Sequence, residues 1–467
     1  MSKVSGQQEN SSLWPVLILF AAVLTASLFG IWSRPTGFLA SIWPANAVMS
    51  GILLRLPGAA RWPGWIAGMA AFLSADLLTG AGLLKAVMLN SANLAGVALA
   101  YAIMSRLSPA TLQLRQPLSV LYILAASAAG ALASGLCGGL AYPFLFGGDF
   151  IPGFTLWWVS EVTNYVAILP IFLSAPPLRQ WPAARNWLQR PLRREDLAPL
   201  LAVLVSCLGV WGIGGPGGIA FPVLALFWCG LVYPVFLTAV LTLLCSSFAL
   251  LIISAAHQPG PADHFDLSGL ISIRLGVAVI AVAPVMLSVV IADRNKLVTE
   301  LRYLSNHDSL TGTVNRAAFY GRAERCLQQG HYPHALLMMD LDHFKSINDT
   351  YGHAVGDEVL REISRRMQSC LRPQDLLGRM GGEEFALFLH HVSAAEAEHI
   401  AGRIRSVIAD TPVVVSGQTA VMVTVSIGLT LAEASGTGGL EALLASADAA
   451  LYRGKNNGRN RVEMALA

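Results

Sequence analysis

The stretch Arg379-Met-Gly381-Gly382-Glu383-Glu384-Phe385 sets two adjacent carboxylates directly after a glycine pair. Strand-like residues flank it, Leu377 to Met380 before and Phe385 to Leu389 after, so Gly381-Gly382 is expected at the tip of a β-hairpin. Glycines there leave no side chain between backbone and ligand, and a carboxylate beside them can hold a hard cation that bridges to phosphate oxygens. Taken alone, such a turn is equally consistent with a plain hairpin. Its partners upstream decide between the two.

Those partners lie between His334 and Asp357. An apolar run from His334 ends in Asp340-Leu341-Asp342-His343 and then turns helical. A buried strand that terminates in Asp suits a metal carboxylate. Asp340 and Glu383 would supply acidic ligands and Leu341 its backbone carbonyl, an oxygen shell of the kind Mg²⁺ prefers. Phe344 and Lys345 fall where a helix would begin, so backbone N–H groups and an ammonium could meet a phosphate chain. Asn348 and Asp357 remain as hydrogen-bonding groups for a base. Asp342 and Asp349 are expected to cap or solvate the helix.

Residues 307–467 resemble the GGDEF family, the diguanylate cyclase catalytic domain. Four separated blocks carry the resemblance: Asp308-Ser-Leu-Thr-Gly-Thr-Val-Asn315-Arg316, the Asp340–Asp357 segment, Gly381–Phe385, and Ala447-Asp448-Ala-Ala-Leu-Tyr452-Arg-Gly-Lys455-Asn-Asn-Gly458-Arg459-Asn460. The resemblance implies condensation of two GTP molecules into cyclic di-GMP with loss of two pyrophosphates, each half-reaction an attack of a ribose 3′-hydroxyl on the α-phosphorus of the other nucleotide. It implies Mg²⁺, with Mn²⁺ able to substitute, on Asp340, the Leu341 carbonyl and Glu383. It also implies Glu383 as the group that deprotonates the 3′-hydroxyl, with Glu384 beside it. Asn348 and Asp357 match the guanine contacts, His353 a further nucleotide-binding position, and Lys455 and Arg459 the cations that face the phosphates. Neutralising an anionic triphosphate before another oxygen approaches phosphorus requires such groups.

The turn reads GGEEF where the family name reads GGDEF. Glu offers the same carboxylate at slightly longer reach, so an intact site is expected. Arg372-Pro-Gln-Asp375 stands five residues before Gly381, in register with the family's inhibitory R-x-x-D site for product. Arg can pair with a guanine edge or phosphate and Asp can accept from guanine N–H groups, whereas a bland turn would have the two as an exposed ion pair. The competing functional class is a catalytically silent receptor that binds cyclic di-GMP through Arg372 and Asp375.

Composition divides the chain independently of motifs. Residues 1–292 hold 13 Lys/Arg and 8 Asp/Glu, residues 293–467 hold 18 and 20, which excludes an ordinary soluble domain for the first part. Apolar windows near the length needed to cross a roughly 30 Å hydrocarbon core recur there. Ten spans are expected, at 14–32, 38–56, 62–79, 84–105, 117–141, 153–174, 197–213, 219–233, 235–256 and 269–292, with eight or nine as the alternative because the pair around Tyr233-Pro234 is so closely spaced. The domain reading is a cytoplasmic tail at 1–13, a membrane sensor domain at 14–292, a helical signalling linker at 293–306 and the cyclase domain at 307–467.

Charge asymmetry orients the spans. With the N-terminus inside, the cytoplasmic segments hold Lys3, Arg55, Arg61, Arg106, Arg115, Arg179, Arg185, Arg190, Arg193, Arg194, Arg294 and Lys296, against Arg34 and Lys85 in the outer loops. The outer loop at 257–266 has no Lys or Arg. The catalytic domain then faces the cytosol of a bacterial inner-membrane protein, where GTP and Mg²⁺ are available. The first span lacks a small-residue cleavage pattern and is expected to remain, and no phosphodiesterase domain is expected after Asn460. Trp43-Pro-Ala-Asn46 and Arg61-Trp-Pro-Gly-Trp65 resemble motifs of MASE-type membrane sensor modules. Asp76, Asn90, Asn93, Glu161, Asn164 and Arg274 lie at membrane depth, where they would line a ligand cavity or bond between helices; a transporter is the minor alternative.

From Ile291 to Leu304 the helical pattern continues, with Leu297, Leu301 and Leu304 on one face, so two stems could pair to bring two cyclase domains together as a homodimer. Cys137, Cys207, Cys229, Cys245, Cys326 and Cys370 show no ligand or disulfide spacing, and His390-His391 reads as the solvated end of a strand. A formal charge of +3 gives no reason to expect nucleic acid. The fold class is a polytopic α-helical membrane domain followed by a cytosolic α/β domain. In that domain strands are expected near 334–340, 376–380, 385–390 and 421–429 and helices near 315–329, 355–371, 393–409 and 439–453; the family resemblance adds a palm-like, ferredoxin-related, antiparallel-containing sheet.

Overall fold

Backbone polarity decides the architecture of the apolar half, because only a helix satisfies every N–H and C=O within its own segment when lipid surrounds it. The computed structural model describes residues 13–33, 42–176, 194–213, 216–256, 267–329, 333–415, 419–432 and 439–465 and divides into two units, Met1–Lys296 and Leu297–Ala467. In the first unit the helices are α1 Trp14–Trp32, α2 Ala45–Arg55, α3 Trp62–Leu78, α4 Leu83–Met104, the single turn α5 Pro109–Leu112, α6 Ser119–Phe146, α7 Phe150–Ser174, α8 Arg194–Ile213, α9 Pro222–Val232 and α10 Val235–Ala256. Helix α11, Leu267–Asn306, starts in the first unit and ends in the second.

Each of the ten expected windows contains a helix, but among the described residues seven helices are long and apolar enough to cross a membrane. Helices α2 and α9 have 11 residues each, about 16 Å at 1.5 Å per residue, which is half a hydrocarbon core. α3 has 17. Large apolar side chains such as Trp32, Phe144 and Leu224 face outward, as lipid contact requires. The tail before residue 13, Arg34, the basic run from Arg179 to Arg193 and the 257–266 loop lie outside the described residues.

The second unit is built on a six-stranded sheet. Its strands are β1 Val314–Asn315, β2 His334–Leu341, β3 Leu376–Gly381, β4 Glu384–His390, β7 Val425–Ala432 and β8 Val462–Met464, in the order β1-β3-β4-β2-β7-β8; β5 Val413–Val415 and β6 Thr419–Val421 form a separate hairpin. The three central pairings are antiparallel and the two outer ones parallel. Central strand β2 is buried along its whole length because helices cover both faces. Leu336 and Met338 turn toward α12 (Arg316–Gln328) and α16 (Leu440–Asn456). Ala335, Leu337 and Met339 turn toward α14 (His353–Ser369) and α15 (Ala394–Ala409). A short helix α13, Phe344–Tyr351, follows β2.

The strand expected at 421–429 is broken. Residues 422–424 lie between β6 and β7, where the Thr424 carbonyl accepts from Asp342 N at 2.9 Å and its hydroxyl donates to the Asp342 carboxylate at 2.7 Å.

Candidate active site

Strand β2 delivers the carboxylate. Asp340, next to its last residue, lies opposite Glu384 on β4 and Ser426 on β7 and is 7% exposed. Helix α16 supplies the counter-ion. Gly428 lets this helix press onto β7, where a Cβ would come within 2.1 Å of the Ala447 carbonyl, and one turn past Leu451 the Lys455 ammonium reaches Asp340 Oδ2 at 2.8 Å. Burial raises the Asp340 carboxyl above the ordinary range; Lys455 draws it back and Glu383 and Asp342 push it further up. Burial likewise raises Glu384, with Asp340, Asp448 and Glu383 adding to the effect and Lys455 opposing it. The carboxylates therefore feel one another's charge, which an arriving divalent cation would relieve.

Among the described residues no three His, Cys, Asp or Glu side chains converge closely enough to hold a metal ion by themselves. The expected set has the two carboxylates Asp340 and Glu383 with the Leu341 carbonyl and leaves further positions for other oxygens. The hard-oxygen donors fit a divalent cation of the Mg²⁺ type.

The hairpin tip is clamped by two residues to which sequence reasoning gave no role. Gly382 adopts φ 52°, and the Arg379 guanidinium donates to its carbonyl from Nε at 2.9 Å and from Nη2 at 2.7 Å. Nη1 of the same guanidinium reaches Asp308 Oδ1 at 3.0 Å, and Asp308 also accepts from the Thr311 amide and hydroxyl. Burial works upward on the Asp308 carboxyl, but the Thr311 hydrogen bonds and then Arg379 prevail and hold it below its usual range. The opening block of the motif set thus fixes the turn that carries Glu383. Only the position of Arg379 beside the glycines signalled this.

Asp342 neither caps nor solvates a helix. It is 5% exposed and accepts from the hydroxyls of Thr424 and Ser426, each at 2.7 Å, and from Asn460 N at 3.0 Å. It ties the strand end to the loop Gly458-Arg459-Asn460, whose φ angles of 109°, 57° and 45° are all left-handed. Arg459 is held exposed in that loop. Asp349 is exposed, as expected.

Helix α13 follows the left-handed His343. The Phe344 side chain is buried in the core, so its contribution toward a phosphate is limited to its backbone N–H, while Lys345 is exposed. Asn348 and Asp357 are half-buried on α13 and α14, and His353 is exposed at the start of α14. Arg372 and Asp375 form a tight turn before β3: the Arg372 amide donates to Asp375 Oδ2 at 2.9 Å and the Asp375 amide to the Arg372 carbonyl at 3.0 Å. The guanidinium is exposed and Asp375 holds the backbone instead, so the turn is not a closed ion pair.

A family model described as "Diguanylate cyclase, GGDEF domain" matches residues 305–461, and the MASE1 model matches residues 14–295. A relative from Escherichia coli strain K12, "Probable diguanylate cyclase DgcF", is 32% identical over 311 residues, 65% of this chain and 95% of the relative. The chain belongs to the GGDEF diguanylate cyclases and carries a MASE1 membrane module. Its enzyme class is therefore nucleotidyltransferase. The protein of the same name from E. coli O157:H7 is 29% identical over 460 residues, covering 97% of this chain and 95% of the relative. The solved coiled coil and GGDEF domain of DgcB from Caulobacter crescentus, in complex with c-di-GMP, is 29% identical, covers 37% of this chain and 92% of that one, and has a TM-score of 0.35.

In the MASE1 module the polar residues bond to one another within and between helices. Asn90 donates to Asp76 at 2.7 Å, Asn93 to Asn90 at 3.1 Å and Asn46 to Asn93 at 3.2 Å. Trp43 joins through its indole to Asn46 at 3.3 Å and through its amide to Asn164 at 3.2 Å. Glu161 feels the charge of Arg274, whose guanidinium donates to the Ser160 hydroxyl. The Trp-Pro-Ala-Asn motif is thus a hub of the network.

Proposed function

We propose that the second unit condenses two GTP molecules into cyclic di-GMP and two pyrophosphates. The observation that carries this reading is the meeting of Asp340, Lys455, Glu383 and Glu384 at one end of β2, brought together from three of the four motif blocks. Mg²⁺ or Mn²⁺ would be held by Asp340, the Leu341 carbonyl and Glu383 and would supply charge neutralisation at the triphosphate. Glu383 takes the proton of the 3′-hydroxyl as its oxygen bonds to the α-phosphorus of the second nucleotide and pyrophosphate departs. Lys455, Arg459, Lys345 and the Phe344 N–H hold phosphate oxygens, and Glu384 lies beside them. Asn348, His353 and Asp357 hold the guanosine. Arg372 and Asp375 bind the product and slow its synthesis.

Each cyclase unit binds one GTP, so turnover takes place in a homodimer with two such sites facing. Exposure of Leu297, Leu301 and Leu304, at 51%, 65% and 59%, supports pairing of the stems. Replacing all three by Ser is expected to uncouple dimerisation and turnover from the membrane module; unchanged light scattering and turnover would remove the stem from the mechanism. The Lys/Arg asymmetry supports an inner-membrane location with the N-terminus and cyclase unit cytoplasmic, the module surrounded by lipid and responding to a ligand of its own.

Purified chain with GTP and Mg²⁺, followed by chromatography, tests the reaction. Product is expected in wild type and a loss on the order of 10²- to 10³-fold in Glu383→Ala. Product in neither favours the silent receptor; equal product in both removes Glu383 from the chemistry.

A further inference from the structure

A second constellation lies in the cyclase unit, assembled from residues 64 apart in sequence. The Cys326 thiol on α12 is 3.1 Å from Nε2 of His390, the last residue of β4. His390 is not the solvated strand end that sequence predicts. It packs edge-on against Phe388 at 5.0 Å between ring centroids and lies near His334 at 5.7 Å. Asp375 acts on it electrostatically, and both His390 Nδ1 and Asp375 Oδ1 are buried without a hydrogen-bond partner. Cys326, His390 and Asp375 all line one cavity of about 560 Å³, together with Arg322, Arg325 and Arg372.

We propose that Cys326 is a reactive thiol, activated by His390, with Asp375 as positioning residue, and that it forms mixed disulfides with anionic low-molecular-weight disulfides that enter this arginine-lined cavity. Burial keeps His390 below its ordinary range against the pull of Asp375, so the imidazole is neutral and free to take a proton. The step balances without net oxidation. The thiol proton moves to His390 Nε2, Cys326 Sγ bonds to one sulfur of the incoming disulfide, the S–S bond breaks, and the departing thiolate collects the proton from His390. Three guanidiniums favour an anionic reagent such as glutathione disulfide over a neutral one. The thiolate, not the thiol, is the nucleophile, so a base in contact with the sulfur favours attack by removing its proton.

The experiment uses the full chain in detergent with glutathione disulfide or the neutral hydroxyethyl disulfide, and peptide mass spectrometry to follow Cys326 against the buried Cys370. In wild type, Cys326 is expected to react about tenfold faster than Cys370 with both reagents and fastest with the anionic one. His390→Gln should slow Cys326 about tenfold toward both; Arg322→Gln with Arg325→Gln should slow only the anionic reagent. Equal rates for Cys326 and Cys370 in wild type, a measurement that needs no variant to fold, overturn the activated thiol. An unchanged rate in folded His390→Gln overturns the role of the imidazole, and equal loss of both reagents in the arginine variant overturns recognition by the cavity.

Discussion

The two units bury polar groups in opposite styles. In the MASE1 module amides dominate: Asn46, Asn90 and Asn93 link α2, α4 and α3, Asn164 holds the Trp43 amide, and each such side chain can donate and accept at once. In the cyclase unit carboxylates dominate, and they sit at strand ends facing an ammonium, hydroxyls or an amide N–H. An amide network fixes helix register with little charge to desolvate, which suits a lipid-bounded bundle. A carboxylate cluster is costly when left alone and becomes favourable only when a cation arrives, which suits a site built to recruit one.

The contrast should break first at Lys455. Lys455→Met is expected to lower turnover on the order of 10²-fold, as loss of an electrostatic contact to the phosphates does. It also moves the acid limb of the pH profile. Lys455 favours the ionised forms of Asp340 and Glu384, so without it both carboxyls titrate at higher pH and activity is lost earlier on acidification. A rate–pH series on both proteins reads the two effects together, and an unshifted limb would show that neither carboxyl governs it.

Asp342→Ala is the next largest. It strands the Thr424 and Ser426 hydroxyls and the Asn460 N–H, a loss of about 2–4 kcal/mol when buried donors are left without an acceptor. Thermal unfolding of the chain should show a lower midpoint, and a midpoint equal to wild type would mean that water replaces the carboxylate at no cost. The smallest effect is expected in the membrane. Asn46→Leu removes the hub beside Trp43, yet interhelical hydrogen bonds in bilayers contribute about 0.6–1.7 kcal/mol each. A detergent or denaturant titration resolving a far larger loss would place the module in the same class as the carboxylate cluster.

Sequence carried the acidic pair, the glycine turn and the apolar windows, because each is a local pattern with a physical meaning of its own. Asp340, Glu383 and Lys455 could be named before any coordinates, since motif order and spacing mark them. What sequence could not carry is the part made by tertiary contact. Asp342 looks like any acidic residue at a helix start until Thr424, Ser426 and Asn460 close around it. Arg379 clamps a carbonyl three residues ahead and an aspartate 71 residues behind, and Cys326 on a helix meets a histidine at a strand end; none of these pairings leaves a periodic trace. Helix length was illegible for a different reason: hydropathy sees apolar content, while α2 and α9 stop after 11 residues at the Leu56-Pro57 and Tyr233-Pro234 steps.

The left-handed run at Gly458-Arg459-Asn460 has a practical consequence for anyone who grafts this loop into a related enzyme. Two of its three residues carry a Cβ in a conformation that L-amino acids resist by about 1–2 kcal/mol each. The loop therefore holds its shape on borrowed support from Asp342, 118 positions upstream. A chimera that imports Asn460 without that aspartate would inherit the right letters and let the neighbouring arginine swing out of place.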